Sequence, residues 1–156
     1  MIQLLRVDHR LLHGQVAFSW TSAVSADCIL VANDDVVVND LRKTTIKLAQ
    51  PSGVKLVMKS MKDAVEAINS GVTDKYKLLV VVESIKDAKM LVDQCPSVKS
   101  VNLGGTKASK ETRQISKAMN VSTDEENMIK EMVDKGIEVE IRMVPTDKKV
   151  KAESVL

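Results

Sequence analysis

Short apolar segments recur along the chain at fairly regular intervals, and most of them contain β-branched residues. Several are continuous apolar runs, above all Leu78–Val82, instead of alternations of apolar and polar residues. Continuous runs are typical of strands that are buried on both faces of a parallel sheet. The predicted strands are Ile2–Val7, Cys28–Ala32, Val54–Met58, Leu78–Val82, Val98–Leu103 and Ile137–Ile141.

Segments with the period of an amphipathic helix lie between these strands. Gly53, Gly71 and Gly136 follow three of them and Pro96 follows a fourth, as expected of residues that end helices. Residues 122–125 have the spacing of a capping box, which would begin the last helix. The predicted helices are Val16–Ser22, Asp40–Ala49, Met61–Asn69, Ile85–Asp93 and Glu125–Lys135.

The alternation of strands and helices predicts an α/β fold: a three-layer α/β/α sandwich with an open, mainly parallel sheet of about six to seven strands. One stretch departs from the alternation, because residues 104–113 are polar and residues 114–121 alternate only weakly. We interpret it as a loop followed by an extra strand that could run antiparallel. No repeat or linker divides the chain, which predicts a single domain over residues 1–156.

Composition excludes several classes of function. Lys and Arg total 23 and Asp and Glu total 21, with both signs interspersed, so no nucleic-acid partner is expected. The apolar runs are shorter than the ~20 residues of a membrane-spanning helix, and no secretory signal pattern is evident, so a cytoplasmic protein is expected. Cys28 and Cys95 lack metal-binding spacing and are expected to be reduced core thiols. Neither a metal nor a cofactor is expected.

The loop that follows the first predicted strand, residues 8–15, is unusually rich in reactive side chains. In a parallel sheet, ligands and reactive groups are expected beyond the carboxyl ends of the strands, where this loop lies. Gly14 allows the backbone to turn, so His13 is expected at the N-terminus of a helix. The amides of Gly14, Gln15 and Val16 would then point outward and form an anion site.

A phosphoryl group on His13 would meet these amides and the guanidinium of Arg10. Free imidazole titrates near pH ~6.5, so a neutral histidine can act as a nucleophile at cellular pH. Positioning and electrostatic stabilisation supply most of the catalysis of phosphoryl transfer. From spacing alone, a helix cap or an ordinary surface residue remains the alternative for His13.

The residues from Arg6 to Val16 read Arg-Val-Asp-His-Arg-Leu-Leu-His-Gly-Gln-Val. Without a gap, they resemble R-x-D-x-R-L-x-H-G-Q-V, the active-site signature of the IIB component of the mannose/fructose/sorbose family of the bacterial sugar phosphotransferase system. Most other sugar IIB classes use a cysteine as phosphoacceptor. Cys28 falls in a predicted buried strand, which favours the class that uses a histidine. Looser resemblance extends over nearly the whole chain, at residues 31–34, 42–44, 100–105 and 136–142.

The resemblance implies an activity and a set of partners. His13 would accept a phosphoryl group from the phosphohistidine of a IIA component and pass it to a sugar carried by the membrane components IIC and IID. Association with the membrane would occur only through those partners. Sugar selectivity is expected to reside mainly in the membrane components.

The other charged and polar residues of the signature are expected to have different roles. Arg10 is expected to stabilise the phosphoryl group, and Asp8 to orient His13 or Arg10 from behind, because a carboxylate facing the phosphoryl group would repel it. Arg6 could flank the site or form a structural ion pair. His9 departs from the acidic residue that the family often has, and is expected at the surface.

Residues at two other strand ends could flank the site. Asn33 and Asp34 follow the second predicted strand, and Gly104 and Gly105 follow the fifth. These three residue types, Asn, Asp and Gly, are also preferred in turns for reasons of backbone geometry. We therefore expect no more than proximity from them.

Two alternatives belong to other classes of function. Doubly wound sheets often bind nucleotides or flavins, but the chain has neither G-x-G-x-x-G nor a P-loop motif. The pair Asp34 and Asp35 could instead indicate a receiver-type phospho-aspartate regulator, although the third acidic residue and the lysine expected in such a site are not found in the right context.

Overall fold

The computed structural model describes residues 1–156 and confirms the predicted α/β fold. Seven strands form the main sheet, two short strands form a separate hairpin, and five helices cover the sheet. The strands are β1 (Ile2–Asp8), β2 (Cys28–Ala32), β3 (Lys55–Lys59), β4 (Leu78–Val82), β5 (Ser100–Gly105), β6 (Arg113–Gln114), β7 (Asn120–Val121), β8 (Glu138–Ile141) and β9 (Val150–Lys151). The helices are α1 (Gly14–Ala23), α2 (Asp40–Leu48), α3 (Met61–Ser70), α4 (Ile85–Gln94) and α5 (Thr123–Asp134).

The main sheet has the strand order β3-β2-β4-β1-β5-β8-β9. All neighbouring strands run parallel except β9, which pairs antiparallel with β8 at the edge. Strand β1 lies between β4 and β5, so its carboxyl end opens at the middle of the sheet. The continuous apolar runs of β2 and β4 are buried along their whole length, as expected for strands covered on both faces.

A hydrophobic core lies on each face of the sheet. Helices α3, α4 and α5 cover the larger core, of 27 buried residues, and α1 and α2 cover the smaller one, of 12. Cys28 and Cys95 are free thiols buried in the larger core. Burial raises the pKa of both thiols.

The segment 104–121 differs from the prediction. Gly104 and Gly105 are the last residues of β5, and the predicted extra strand is instead the hairpin of β6 and β7. The chain reverses because the amide of Ile115 donates to the carbonyl of Met119, while Met119 itself is fully buried. A turn inside the segment explains why its alternation is weak.

The predicted capping box of the last helix is confirmed, and the helix begins at Thr123, two residues before the predicted start. The Ser122 hydroxyl accepts from the amide of Glu125, and the Glu125 carboxylate accepts from the amide of Ser122, which completes the capping box. Gly71 directly follows α3, and Gly136 lies two residues after the end of α5. Both adopt the left-handed backbone conformation, with φ of 85° and 87°. None of the five helices combines the length and the apolar character needed to cross a bilayer.

Candidate active site

The candidate site lies at the carboxyl end of β1, where Asp8 ends the strand and α1 begins six residues later. Asp8 pairs in register with Gly105 of β5, and the amide of His9 donates to the Gly105 carbonyl at 3.0 Å. The β1–α1 loop is therefore attached to β5 as well as to its own strand.

Local interactions hold the loop in one conformation. The Asp8 carboxylate accepts from the amide of Arg10 at 3.0 Å, and the Asp8 carbonyl accepts from the amide of Leu11 at 2.8 Å. Leu11 has a φ of 59°, an unfavourable value for a side chain with a Cβ. Leu11 and Leu12 are both buried in the smaller core, which compensates for this strain. Neither leucine offers an apolar contact to a partner.

The imidazole of His13 is held by Asp8. Its Nε2 lies 2.9 Å from Asp8 Oδ2, and its Nδ1 makes no hydrogen bond within the protein. Because a buried carboxylate only accepts hydrogen bonds, the proton of the neutral ring resides on Nε2, and Nδ1 carries the free lone pair. The side chain is 21% exposed, so the loop holds the ring without enclosing it.

Hydrogen-bond donors for an anion surround the start of α1. His13 is the N-cap residue in extended conformation, and the first helical hydrogen bond runs from Ala17 to its carbonyl. The amides of Gly14, Gln15 and Val16 precede that bond and have no acceptor within the helix. Arg10 is exposed, and its guanidinium makes no hydrogen bond or ion pair. These groups can bind a phosphoryl group without breaking a contact.

Asp8 is the centre of the polar contacts. Burial raises its pKa, but the hydrogen bonds from His13 and from the amide of Arg10, together with the charges of His13 and Arg6, outweigh burial and lower the pKa below its ordinary value. The carboxylate therefore stays ionised at cellular pH.

Arg6 supports Asp8 from behind. Its Nη2 donates to Asp8 Oδ2 at 3.3 Å and to the carbonyl of Met143 at 2.9 Å. Its Nη1 donates to Asn102 Oδ1 at 2.6 Å and to the carbonyl of Arg142 at 3.2 Å. Arg6 is 3% exposed, so this ion pair lies inside the protein and away from the anion site.

The two glycines at the end of β5 have different surroundings. A Cβ on Gly104 would lie 2.2 Å from Arg6 Cζ, so the guanidinium occupies the space of the absent side chain. A Cβ on Gly105 would have no neighbour closer than 3.7 Å, one of which is His9 Nδ1. Gly104 is thus required by Arg6, and Gly105 lies beside the loop.

Asn33 and Asp34 lie apart from His13, because β4 separates their strand from β1. Asn33 accepts from the amides of Asp35 and Val36 and donates to Glu83, while Asp34 accepts from the amide of Met61. Both side chains hold turns, and neither contacts the β1–α1 loop.

His9 faces a polar cleft of about 540 Å³ at the same edge of the sheet. Its side chain is 30% exposed, which is less than expected of a surface residue, and Nδ1 is buried without a hydrogen bond, 4.0 Å from Asp8 Oδ1. The other residues that line the cleft are Arg42, Glu83, Ser84, Thr106, Lys107 and Glu125. No group of three or more His, Cys, Asp or Glu side chains is arranged to hold a metal ion.

The sequence predicts no role in the site for Asn102, Glu140 or Arg142. Asn102 is fully buried in β5 and donates to Glu140 Oε1 at 3.3 Å and to the Arg142 carbonyl at 3.2 Å. An amide inside the apolar run of a predicted buried strand is the signal that could have found it, because buried polar groups need partners.

The whole sequence matches a known family. Residues 2–156 match the family model described as the PTS system sorbose subfamily IIB component.

Individual relatives agree with this match. The fructose-specific EIIB component of Bacillus subtilis is 32% identical over 146 residues, which cover 94% of this chain and 90% of that protein. A probable phosphotransferase enzyme IIB component of Streptococcus pyogenes is 38% identical over 103 residues, which cover 66% of this chain and 63% of that protein. The mannose-specific EIIAB component of Escherichia coli is 30% identical over 151 residues, or 97% of this chain but 47% of that protein.

A solved structure has the same fold. The crystal structure of the IIBSor domain of the sorbose permease from Klebsiella pneumoniae superposes with a TM-score of 0.91 at 27% identity. The superposition covers 97% of this chain and 93% of that one.

Proposed function

Because the chain belongs to the sorbose subfamily of IIB components of the phosphotransferase system, a family of phosphoryl-transfer modules, we propose that His13 is its phosphoacceptor. One observation carries the proposal: Asp8 holds Nε2, which leaves Nδ1 free as the nucleophile on the residue that caps the N-terminus of α1. Families built on other ligands, such as nucleotide or flavin modules and receiver domains, are not favoured by the match to IIB components.

The proposed reaction is a displacement at phosphorus. The lone pair of His13 Nδ1 attacks the phosphorus of a phosphohistidine on a IIA component. A P–N bond forms at His13 while the P–N bond of the donor breaks, and the donor imidazole keeps the electron pair. The new phosphohistidine retains its proton on Nε2, where Asp8 stabilises the positive charge of the ring. The oxygen of a sugar hydroxyl then attacks the phosphorus: a P–O bond forms, the P–N bond breaks with its electron pair returning to His13 Nδ1, and the hydroxyl proton passes to a base on the membrane component or to water. His13 is left neutral, with its proton still on Nε2.

The partners follow from this reaction. A IIA component is proposed as donor, supported by the Escherichia coli relative, whose name joins IIA and IIB in one protein. The membrane components IIC and IID are proposed to present the sugar. The chain would then act as one IIB domain over residues 1–156 on the cytoplasmic side of the membrane, without a metal or cofactor of its own.

The proposal is tested by locating the phosphate. The protein is incubated with a mannose-class IIA component phosphorylated through a chain driven by ³²P-labelled phosphoenolpyruvate, and the acid-labile label is mapped to a peptide. We expect the wild type and the matched control His9→Ala to carry label on His13, and His13→Ala to carry none. Label in the His13→Ala protein would contradict the proposal, as would an unlabelled wild type beside a competent donor.

Arg10 is expected to act on the rate of transfer but not on folding. In Arg10→Ala, removal of one charge-stabilising donor should lower the rate constant about 100-fold. Arg10→Lys keeps the charge but loses bidentate geometry, so its rate should be intermediate. Both variants should unfold at the wild-type temperature, because the Arg10 side chain is exposed and forms no contact to lose. Rapid-quench phosphoryl transfer and thermal melts measure the two quantities, and an unchanged rate in Arg10→Ala would refute the role.

A further inference from the structure

Trp20 contacts Arg6, the residue that supports Asp8 in the candidate site. It lies on α1, seven residues or about two turns after His13, and it is 2% exposed. It is the only tryptophan in the chain. A fully buried indole needs a hydrogen-bond partner, and the identity of that partner connects it to the site.

The indole and Arg6 share an acceptor. Trp20 Nε1 donates to the carbonyl of Met143 at 2.9 Å, and the same carbonyl accepts from Arg6 Nη2 at 2.9 Å. The two donors fix one carbonyl, two residues after the end of β8, and this carbonyl in turn fixes one edge of the guanidinium.

The indole ring also faces the cations of this cluster. Arg6 Cζ lies 5.2 Å from the ring centroid, and Arg142 Cζ lies 5.0 Å from it. Cation–π attraction of this kind is strongest where the cation is removed from water, as Arg6 is. The guanidinium also packs directly against Gly104, where a Cβ would overlap Arg6 Cζ. Arg6 therefore has little freedom to shift.

Arg6 transmits this restraint to the reacting group. Its Nη2 donates to Asp8 Oδ2, and the same oxygen accepts from His13 Nε2. A displaced guanidinium would leave the Asp8 carboxylate held only by the Arg10 amide at Oδ1, so Oδ2 could turn away from the imidazole. The imidazole would then lose the partner that keeps its proton on Nε2.

We propose that Trp20 is a positioning residue for phosphoryl transfer, which acts through Arg6 and Asp8 to keep His13 Nδ1 unprotonated and aimed outward. This inference rests on the proposed function of His13. Trp20 itself touches neither the phosphoryl group nor the imidazole.

The test compares Trp20→Phe with the wild type and with Phe18→Leu, a matched control on the same helix whose side chain is exposed. Trp20→Phe keeps an aromatic ring but removes the Nε1 donor. At mildly alkaline pH, ¹⁵N spectra of the imidazole should show the Nε2-protonated tautomer in the wild type and in the control, and a mixture of tautomers in Trp20→Phe.

Rates provide the second readout. We expect the maximal rate of transfer from phosphorylated IIA to fall about 10- to 100-fold in Trp20→Phe, with the KM for IIA within about two-fold of the wild type. A folded Trp20→Phe protein with the wild-type tautomer and maximal rate would overturn the inference. A loss of rate that only follows the unfolded fraction in the thermal melt would overturn it too.

A measurement on proteins that keep Trp20 avoids any failure of Trp20→Phe to fold. The indole N–H resonance of Trp20 should move when His13→Ala removes the ring at the other end of this chain of contacts, and should stay in place in His9→Ala. An indole resonance that does not move would count against the inference. Neither spectrum requires phosphorylation, so a wild type that takes no label on His13 refutes the proposed function separately.

Discussion

In Asp8→Asn, the rate constant for phosphoryl transfer to His13 is expected to fall between about 10² and 10⁴-fold. The amide cannot serve as a charged acceptor for His13 Nε2, and its NH₂ group can donate to that nitrogen instead. Donation to Nε2 moves the ring proton to Nδ1, the proposed nucleophile. The variant also leaves buried Arg6 without its counter-charge.

Single-turnover transfer from phosphorylated IIA measures this rate, and Asp34→Asn provides the matched control. Asp34 also follows a strand and also accepts a backbone amide, but it does not contact the β1–α1 loop. We expect the control to transfer at close to the wild-type rate. Equal rates in the two variants would refute the role of Asp8.

Asp8→Asn should also change the response of stability to acid. The pKa of Asp8 is lower in the folded protein than in the unfolded chain, so its ionisation adds stability at pH values above ~3.9, which is lost as the pH falls through the lower folded pKa. The variant lacks this contribution, and its free energy of unfolding should decline less steeply than that of the wild type at acidic pH. Urea melts at a series of pH values from neutral to below ~3.9 measure the difference, and the pH dependences of the two proteins should diverge only at the acidic end of the series.

Gly104→Ala is expected to have the largest effect on folding. The added Cβ would lie 2.2 Å from Arg6 Cζ, and the guanidinium cannot move aside without loss of its hydrogen bonds to four acceptors. Overpacking and the disruption of a buried ion pair together should lower the free energy of unfolding by about 3 kcal/mol or more. The rate of transfer should fall as well, because Arg6 supports Asp8.

The adjacent glycine is a matched control for this prediction. In Gly105→Ala, the new Cβ meets no atom closer than 3.7 Å, so the free energy of unfolding should stay close to that of the wild type. A double-mutant cycle isolates the cause: in an Arg6→Met background, Gly104→Ala should cost much less. Urea unfolding of the set measures the coupling. Additive effects of the two substitutions would show that Arg6 is not the group that requires glycine.

Local sequence was sufficient to predict six strands of the main sheet and the loop that carries the site. Buried parallel strands need continuous apolar runs, and helix ends need particular capping residues, so both features can be recognised within a few neighbouring positions. The residues proposed for chemistry, Asp8, Arg10 and His13, also lie within one loop, together with the helix amides. Their proximity therefore required no knowledge of how distant segments pack.

Other predictions depended on the order of the strands, which periodicity does not specify. Asn33 and Asp34 also follow a strand, but the position of β4 between β2 and β1 separates them from His13. The segment 114–121 forms a hairpin instead of one extended strand. Burial of Met119 and a hydrogen bond inside the turn stabilise the hairpin, whereas the weak alternation of the segment gives an extended strand little support.

The amino-acid sequence by itself determined that a histidine at the N-terminus of a helix, close to an arginine, would stand at the carboxyl edge of a parallel sheet. Only the tertiary structure decided which ring nitrogen is free and what holds its partner in place. The supporting contacts of Arg6 join it to Asn102 and to the carbonyls of Arg142 and Met143, which are 96 to 137 residues away in the chain. Such contacts exist because β1 packs beside β5 and β5 beside β8, an order set by the packing of the whole core.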